Sequence, residues 1–385
     1  MAITGNPNNY PTAMYRPSDG SPPKASEVNP ALEALGDRTA FLKARQDKIE
    51  TRTSKLPLLN WHRAEANNMT VGSTALYTPK GRAWIACGST QTVRSSVNGG
   101  LSWSGTLVSG SNENTTAGDV DPDGNMVIAT ETRYAFAFNA STETFTRVDV
   151  HGATLALPGS RVVYDPVRGR WVWFTCFGAL SVRHSTDRSA WTLGTPPAPG
   201  FGWGDGMFLL RMVCKKSTGR IVAIASLGSE FLVCTSDTGG ASWVIRSPLD
   251  YYTAASRASL VYNEAKDEWI FTAGETTGVP SGVVYRSVDD GVTWTLVSTQ
   301  TTSVIHSVAV FGAHLVGMAT VRVVPVHQDE LVWSDDGGVT WRLAGFNPGG
   351  QSAGVFAGQG SLVIPVVDAL YTSSRVGTPD LGVIT

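Results

Sequence analysis

The chain has 385 residues, of which 42% are hydrophobic and only 16% are charged, so wholesale disorder is excluded. The formal net charge of −2 provides neither a basic surface for nucleic acid nor a polybasic patch for membranes. The 41 glycines and 12 tryptophans favour many short strands and turns, and no apolar run has the length of a membrane-spanning helix. The composition therefore predicts a neutral, β-rich protein with no nucleic-acid partner and no membrane insertion.

Residues 1–27 are predicted to form an extended attachment arm. They are rich in Pro, Asn and Ser and have no periodic apolar pattern, which is typical of a segment that becomes ordered along a partner. The first residues, MAITGNPNNYP, lack the basic and apolar stretches of a signal peptide, so none is expected.

Residues 28–57 are predicted to form a coiled-coil helix. Asn29 provides an N-cap and Pro30 lies in the first turn. Apolar residues recur every seven positions, which indicates a left-handed coiled coil that joins several chains, with a trimer preferred. The alternative is a single amphipathic helix lying on the following domain. The residues expected at the oligomer interface are Leu32, Leu35, Leu42, Ile49 and Leu56.

From residue 58 onward, a short turn motif recurs along the chain. The segments Ser287 to Trp294 and Ser334 to Trp341 share the pattern S-x-D-x-G-x-T-W. Looser copies end at Trp103, Phe145, Trp191 and Trp243. The terminal aromatic residues are 42 to 52 positions apart, which is the length of a four-stranded repeat unit.

The chemistry of this motif predicts a hairpin turn. Asp or Asn accepts backbone N–H bonds across the turn, Gly supplies a position with positive φ, and Ser or Thr closes the loop over the Trp ring. The predicted structural residues are Asn98, Trp103, Asp187, Trp191, Trp243, Asp289, Trp294, Asp336 and Trp341. The motif resembles the Asp-box (BNR) repeat of sialidase-like β-propellers. This resemblance implies a propeller fold but no particular function, because the repeat occurs in many unrelated proteins.

Each unit also carries an upstream hairpin signal, and seven such signals occur between Tyr77 and Gly360. The expected fold is an all-β, seven-bladed propeller over residues 58–385, with six blades if the weakly matching second repeat is misread. The last unit has no room for a fourth strand. Residues 58–64 resemble the fourth strands of other units, so we expect them to complete the last blade and close the ring.

No catalytic motif stands out in the sequence. The Phe/Tyr-Arg-Ile-Pro motif of sialidases does not precede the first turn. Arg211 and Arg257 lie near first-strand positions that face the axis, where they are either substrate contacts or paired structural residues. Carboxylates that a glycosidase needs are conceivable at loops or strand ends, although solvated turn residues are the simpler interpretation. These carboxylates are Asp205, Glu230, Glu275 and Asp368.

No metal or cofactor is predicted. Asp119 to Gly124 imitates the start of a calcium loop, D-x-D-x-D-G, but Thr130 stands where that motif needs a glutamate. The same residues are also favourable for a simple turn, which is the preferred interpretation. The four cysteines lack the spacing of a metal site and are expected to be free and buried.

Ala25 to Leu42 resembles the N-terminal segments of bacteriophage tail, tail-fibre and tail-like particle proteins. The resemblance implies a non-enzymatic virion component, made in the host cytoplasm, that is attached to other tail proteins by its arm and helix. The propeller would then be exposed to a host surface glycan or to another protein. The alternatives are a carbohydrate-active propeller enzyme, such as a glycosidase, and a free glycan-binding lectin. Trp203, in a glycine-rich loop, is either a sugar-stacking residue or part of a packed connection.

Overall fold

The computed structural model divides the chain into two compact units, Met1–Leu58 and Leu59–Thr385. It describes residues 59–65, 72–78, 83–87, 92–98, 102–107, 114–151, 159–177, 179–196, 207–227, 230–246, 248–250, 257–275, 280–301, 303–323, 326–349, 352, 354–358, 361–366 and 369–375. The predicted arm (1–27) and coiled-coil helix (28–57) lie outside these ranges. Within the ranges there is no helix, and hence none with the length and apolarity needed to span a bilayer.

The described residues form 29 strands, which are arranged in seven sheets. The first strand is β1 (Leu59–Glu65). Sheet 1 contains β2 (Gly72–Tyr77), β3 (Ala83–Cys87), β4 (Thr92–Ser96) and β5 (Ser104–Leu107). Sheet 2 contains β6 (Thr115–Val120), β7 (Met126–Thr130), β8 (Tyr134–Asn139) and β9 (Thr144–Asp149). Sheet 3 contains β10 (Arg161–Asp165), β11 (Arg170–Phe177), β12 (Ala179–Ser185) and β13 (Thr192–Leu193).

The next three sheets follow the same antiparallel order. Sheet 4 contains β14 (Met207–Lys215), β15 (Arg220–Leu227), β16 (Glu230–Ser236) and β17 (Val244–Ile245), and β18 (Leu249–Asp250) also pairs with β16. Sheet 5 contains β19 (Arg257–Asn263), β20 (Glu268–Glu275), β21 (Ser281–Ser287) and β22 (Thr295–Gln300). Sheet 6 contains β23 (Ser303–Phe311), β24 (His314–Val323), β25 (Val326–Ser334) and β26 (Arg342–Leu343).

Sheet 7 combines strands from both ends of this unit. It contains β27 (Phe356–Gly358), β28 (Ser361–Val366), β29 (Ala369–Arg375) and, beyond β29, the first strand β1. In this antiparallel pair Leu59 lies opposite Arg375 and Glu65 lies opposite Ala369. The strand that the sequence predicts at residues 58–64 is therefore the outermost strand of the last sheet.

The first strand of each sheet lies innermost, against the first strands of the two neighbouring sheets. These contacts run from β2 through β6, β10, β14, β19, β23 and β27, and β27 also contacts β2, so the ring is closed. Seven sheets arranged around a common axis in this way form a β-propeller. The closed ring protects the inner sheet edges from pairing with other chains.

The hydrophobic core lies between consecutive sheets. The second strands are buried on both faces, as in β7 and β20, so they are almost continuously apolar, whereas the outer strands β9 and β22 are largely exposed. Large aromatic rings fill the spaces between sheets, for example Phe231 of sheet 4 against Phe271 of sheet 5, with ring centroids 5.0 Å apart. Removing one such ring costs about 3–5 kcal/mol, so this packing holds the inner strands in place.

Candidate functional site

The predicted turn residues lie between the third and fourth strands of their sheets. In sheet 5, Asp289 accepts hydrogen bonds from the Thr293 backbone N (2.9 Å) and hydroxyl (2.6 Å), and from the Ser287 hydroxyl (2.8 Å). The Gly291 N donates to the Ser287 hydroxyl, and Gly291 has a φ of 77°, which favours glycine. The Trp294 ring donates to the Gly291 carbonyl oxygen (3.1 Å). The polar groups of this turn thus bond to one another.

The turn of sheet 6 contains the same hydrogen bonds. Asp336 accepts bonds from the Thr340 backbone N (3.0 Å), the Thr340 hydroxyl (2.5 Å) and the Ser334 hydroxyl (2.8 Å). The Trp341 ring donates to the Gly338 carbonyl oxygen (2.9 Å). In sheet 1, Asn98 stands in the place of the aspartate and accepts a bond from the Ser102 backbone N (3.0 Å); Trp103, at the end of that turn, is half-buried.

Two further turns depart from the motif. In the shorter turn of sheet 3, Asp187 accepts bonds from two backbone N–H groups, which hold its pKa below the usual range. Arg188 occupies the left-handed position there (φ 70°), and Trp191 donates to its carbonyl oxygen. In sheet 4 the hydroxyl of Thr238 replaces the carboxylate, and Trp243 donates to Gly240 as its counterparts do.

The segment that imitates a calcium loop is a turn whose carboxylates already have donors. Asp121 accepts bonds from the backbone N of Asp123 (3.0 Å) and of Asn125 (2.8 Å). Asp119 is paired with the Lys216 ammonium group. In the part of the chain that the structure describes, no group of three or more His, Cys, Asp or Glu residues is placed to hold a metal ion. Cys214 and Cys234 are buried and are not joined in a disulfide, and burial raises the pKa of the Cys214 thiol to about 12.

Three arginines on consecutive inner strands form a cationic group that we call the axial arginine cluster. Arg161 begins β10 of sheet 3, Arg211 lies in β14 of sheet 4 beside a β-bulge, and Arg257 begins β19 of sheet 5. In an antiparallel sheet, the start of the first strand and the turn between the third and fourth strands lie at opposite ends. Arg161 and Arg257 therefore lie toward the end of the propeller opposite the repeated turns, and Arg211 lies midway along β14.

Arg161 connects three neighbouring inner strands. Its Nε donates to the Leu210 carbonyl oxygen (3.0 Å), and its Nη1 donates to the carbonyl oxygens of Ser160 (2.9 Å) and Thr116 (3.3 Å). Burial, and then the charge of Arg211, lower the pKa of Arg161 to about 9, which still leaves it cationic at neutral pH. Its acceptors are neutral, so these bonds fix the guanidinium without neutralising its charge.

Arg211 makes fewer bonds than Arg161. Its Nη1 donates to the carbonyl oxygen of the adjacent Leu210 (2.7 Å), and burial lowers its pKa to about 10. Its charge also acts on Arg161 in sheet 3 and on His306 in sheet 6. Arg211 is therefore the central charge of the cluster.

Arg257 lies beside a buried histidine–aspartate pair. Its Nη1 lies 3.4 Å from His306 Nδ1 and 3.4 Å from the Ser352 carbonyl oxygen. His306 Nε2 lies 3.4 Å from Asp329 Oδ1, and each of these two side chains is only 2% exposed. Burial, reinforced by the charges of Arg257 and Arg211, lowers the pKa of His306 despite Asp329, so the imidazole is neutral at pH 7.

Asp329 is fixed by several donors. The Thr320 hydroxyl (2.6 Å) and the backbone N (2.7 Å) and hydroxyl (3.0 Å) of Ser352 all donate to its carboxylate. Burial alone would raise the pKa of Asp329, but the bonds from His306, Thr320 and Ser352 hold it well below the usual range. Because the Ser352 carbonyl accepts from Arg257, Asp329 orients that arginine through Ser352.

The structure brings together Arg211 and Arg257, which the sequence singles out, through their common effect on His306. Glu230 begins β16 and Glu275 ends β20. Asp205, Asp368 and Trp203 lie outside the described residues. The sequence did not single out Arg161 or the two residues beside Arg257, His306 and Asp329. For Arg161 and His306 a signal exists, because they and the other two arginines recur at close to the repeat length in first strands.

No protein-family model and no curated protein matches this sequence. Several solved structures have a similar fold. YCF48 bound to D1 peptide is 12% identical with a TM-score of 0.58, over 82% of this chain and 94% of that one. YCF48 from Cyanidioschyzon merolae is 14% identical with a TM-score of 0.57, over 83% and 99%. Virginiamycin B lyase from Staphylococcus aureus is 11% identical with a TM-score of 0.61, over 83% and 100%. The likeness shows the propeller fold alone.

Proposed function

We propose that this protein is a recognition component of a bacteriophage tail or tail-like particle, with the propeller as its binding unit. The observation that carries the proposal is the axial arginine cluster, whose three arginines lie on consecutive inner strands and bond mainly to neutral groups. Guanidinium groups in such an arrangement attract anionic ligands and orient them by paired hydrogen bonds. We infer that each of the seven sheets is one blade and that the ligand binds where the inner strands begin.

The placement in a virion rests on the resemblance of Ala25 to Leu42 to tail-protein segments. In this proposal the arm (1–27) attaches the protein to other tail proteins, and the coiled-coil helix (28–57) joins three chains. The residues predicted to form the helix precede β1 in the chain, and β1 is the outermost strand of sheet 7. Three propellers would then present three binding sites, which raises the avidity for a repetitive host surface glycan.

The test combines mass and binding measurements on the full chain. Light scattering should give three times the 40.9 kDa mass of one chain, and the protein should bind bacterial surface polysaccharides that carry acidic groups. Immunogold labelling should place it on tails. Arg211→Met should abolish polysaccharide binding, whereas the matched control Arg342→Met, in the outer strand β26, should not. A monomer that binds none of the polysaccharides would contradict the proposal.

A carbohydrate-active enzyme at the same cluster is the second candidate. The observation that favours it is the neutral His306 beside Arg257, since a neutral imidazole is an available proton acceptor. The neighbouring virginiamycin B lyase shows only that this fold is compatible with catalysis. The two candidates differ in the fate of the bound polysaccharide, because a binding protein leaves its chain length unchanged and an enzyme shortens it.

A further inference from the structure

We propose that β22, the outermost strand of sheet 5, is an interaction edge that pairs with β22 of a second copy of this chain. The edge lies on the rim of the propeller, so this pairing depends neither on the axial arginine cluster nor on a place in a virion. It follows from how the outer strands of the seven sheets differ in length, in charge and in exposed side chains.

Most of the outer strands are protected against pairing with other chains. An outermost strand exposes unpaired backbone N–H and C=O groups, and proteins protect such edges by keeping the strand short or by placing charged side chains on it. The outer strands β13, β17 and β26 have two residues each, and β5 has four. The longer outer strands carry charges, which are Arg63 and Glu65 in β1 and Arg147 and Asp149 in β9.

Strand β22 has neither protection. Its six residues, Thr295–Gln300, have the sequence TLVSTQ, which contains no charged residue and no proline. It pairs with β21 on one side, and among the described strands it has no second partner. A bulge at Val297 adds twist to the strand but places no charge on its edge. In the part of the chain that the structure describes, β22 is therefore the one long outer strand without a protecting charge.

Exposed apolar side chains accompany this edge. Leu296 in β22 is 49% exposed, and Val288 and Val292, in the turn that precedes β22, are 65% and 37% exposed. The exposed side chains of β9, the outer strand of equal length in sheet 2, are Thr144, Thr146, Arg147 and Asp149. Because covering apolar groups is favourable, a neighbour on the rim stabilises sheet 5 more than it stabilises sheet 2.

The charge pattern of β22 identifies a second copy of the same strand as the occupant. When two identical strands pair antiparallel across a two-fold axis, each strand meets its own set of side chains. For β9 this brings Arg147 close to Arg147 of the second copy, and like charges at such positions are unfavourable. For β22 it brings together only uncharged residues, mostly Thr, Ser and Val or Leu, which pack well across strands. Two copies of sheet 5 then form one continuous sheet.

Light scattering on the full chain over a range of concentrations measures this pairing. The mass should at least double between dilute and concentrated protein, whether the dilute species is a single chain or the proposed trimer. Ser298→Lys, near the middle of β22, should weaken the association more than about tenfold, because it places like charges close together. The matched control is Thr146→Lys, near the middle of β9, which should leave the association unchanged.

Mixing Ser298→Lys with Ser298→Glu tests whether the strand pairs with its own copy. Each variant alone should remain unpaired, and the mixture should regain the association, because Ser298 lies within one residue of its counterpart in any antiparallel register that uses the whole strand. A variant that failed through misfolding would not be rescued in this way. The natural pairing should be insensitive to salt, whereas the pairing in the mixture should weaken as salt is raised.

Several outcomes would overturn the pairing of β22 with itself. The first is a mass that does not change with concentration, and the second is an association that survives Ser298→Lys. An association that is not restored in the mixture would show that β22 accepts an extended segment of a different protein or serves only the fold. The proposed function is distinguished by Arg211→Met, which should abolish polysaccharide binding and leave the association intact; loss of the association in this variant would contradict its assignment to β22.

Discussion

The repeated turns and the axial arginine cluster lie in different parts of the propeller, and their polar groups have different kinds of partner. In each turn the carboxylate or hydroxyl is matched by donors a few residues away, as Asp289 is matched by Thr293 and Ser287. In the cluster, three cations are gathered with mainly neutral acceptors. The local bonds of the turns therefore stabilise the fold, whereas the cluster, which is not repeated in every sheet, is where we propose that a ligand binds.

The largest expected effect tests the stabilising role of the turns. The Trp243 ring is 8% exposed, packs on Phe174 with centroids 4.8 Å apart and donates to the Gly240 carbonyl. Trp243→Ala should lower the free energy of unfolding by about 3–5 kcal/mol, because it removes a buried ring and leaves a cavity. Denaturant titration measures the loss. The half-buried Trp294 provides the comparison, and Trp294→Ala should cost less; equal losses would contradict this account of the turns.

A smaller effect is expected when a turn loses its carboxylate. Asp336→Ala removes the acceptor for Thr340 and Ser334, and should lower the free energy of unfolding by about 1–2 kcal/mol. The neighbouring Asp335 is the matched control, because its carboxylate forms only a partly exposed ion pair with Arg342. Asp335→Ala should change stability by less than about 1 kcal/mol. If the two variants were equally stable, the hydrogen bonds of the turn would not be the source of its stability.

The smallest effect is a dependence of stability on mildly acidic pH. Burial, and then the charge of Arg183, lower the pKa of His151 to about 4, and the pKa of His306 is also lowered. The unfolded chain binds protons near pH 6.5 while these folded histidines stay neutral, so stability is lost as the pH falls below that value. Between pH 7 and pH 5 the free energy of unfolding should fall by about 1–2 kcal/mol because of His151, and the lowered pKa of His306 acts in the same direction.

Calorimetry at the two pH values checks this expectation, and His151→Asn should reduce the fall. Aspartates with lowered pKa, such as Asp329 and Asp336, lose their stabilising contribution only at more acidic pH, below about 4, so they do not contribute to this range. A free energy of unfolding that stays constant from pH 7 to pH 5 would show that these histidines take up protons in the folded protein as they do in the unfolded chain.

The turns were predictable because their bonds are local. Asp289 and Thr293 are four residues apart, so the residue types alone specify which group donates the hydrogen bond and which accepts it. The prediction was incomplete where a different side chain performs the same role, as Thr238 does in place of an aspartate. The strand at residues 58–64 was also predictable, because its sequence resembles the fourth strands of other units, and in the structure it pairs with β29 of the last sheet.

The arginine cluster was only partly predictable. The sequence singled out Arg211 and Arg257 by their positions in first strands, but it left open whether they are substrate contacts or paired structural residues. Arg161 and Asp329 were missed, because each gains its role from residues in other sheets, such as Leu210 and Ser352. These bonds join residues 49 and 23 positions apart, so they depend on how the sheets are arranged around the axis, and no local pattern encodes that arrangement.

The repeat length, the chemistry of the turns and the propeller class could be predicted from the sequence, since all of these follow from hydrogen bonds and apolar patterns within one unit. It also provides the arm, the coiled coil and the tail resemblance, which remain predictions. The interactions that link the three arginines with the buried His306–Asp329 pair became visible only in the tertiary structure. Their charges act on one another because the closed ring brings successive inner strands together, and Coulomb forces depend on distance in space rather than along the chain.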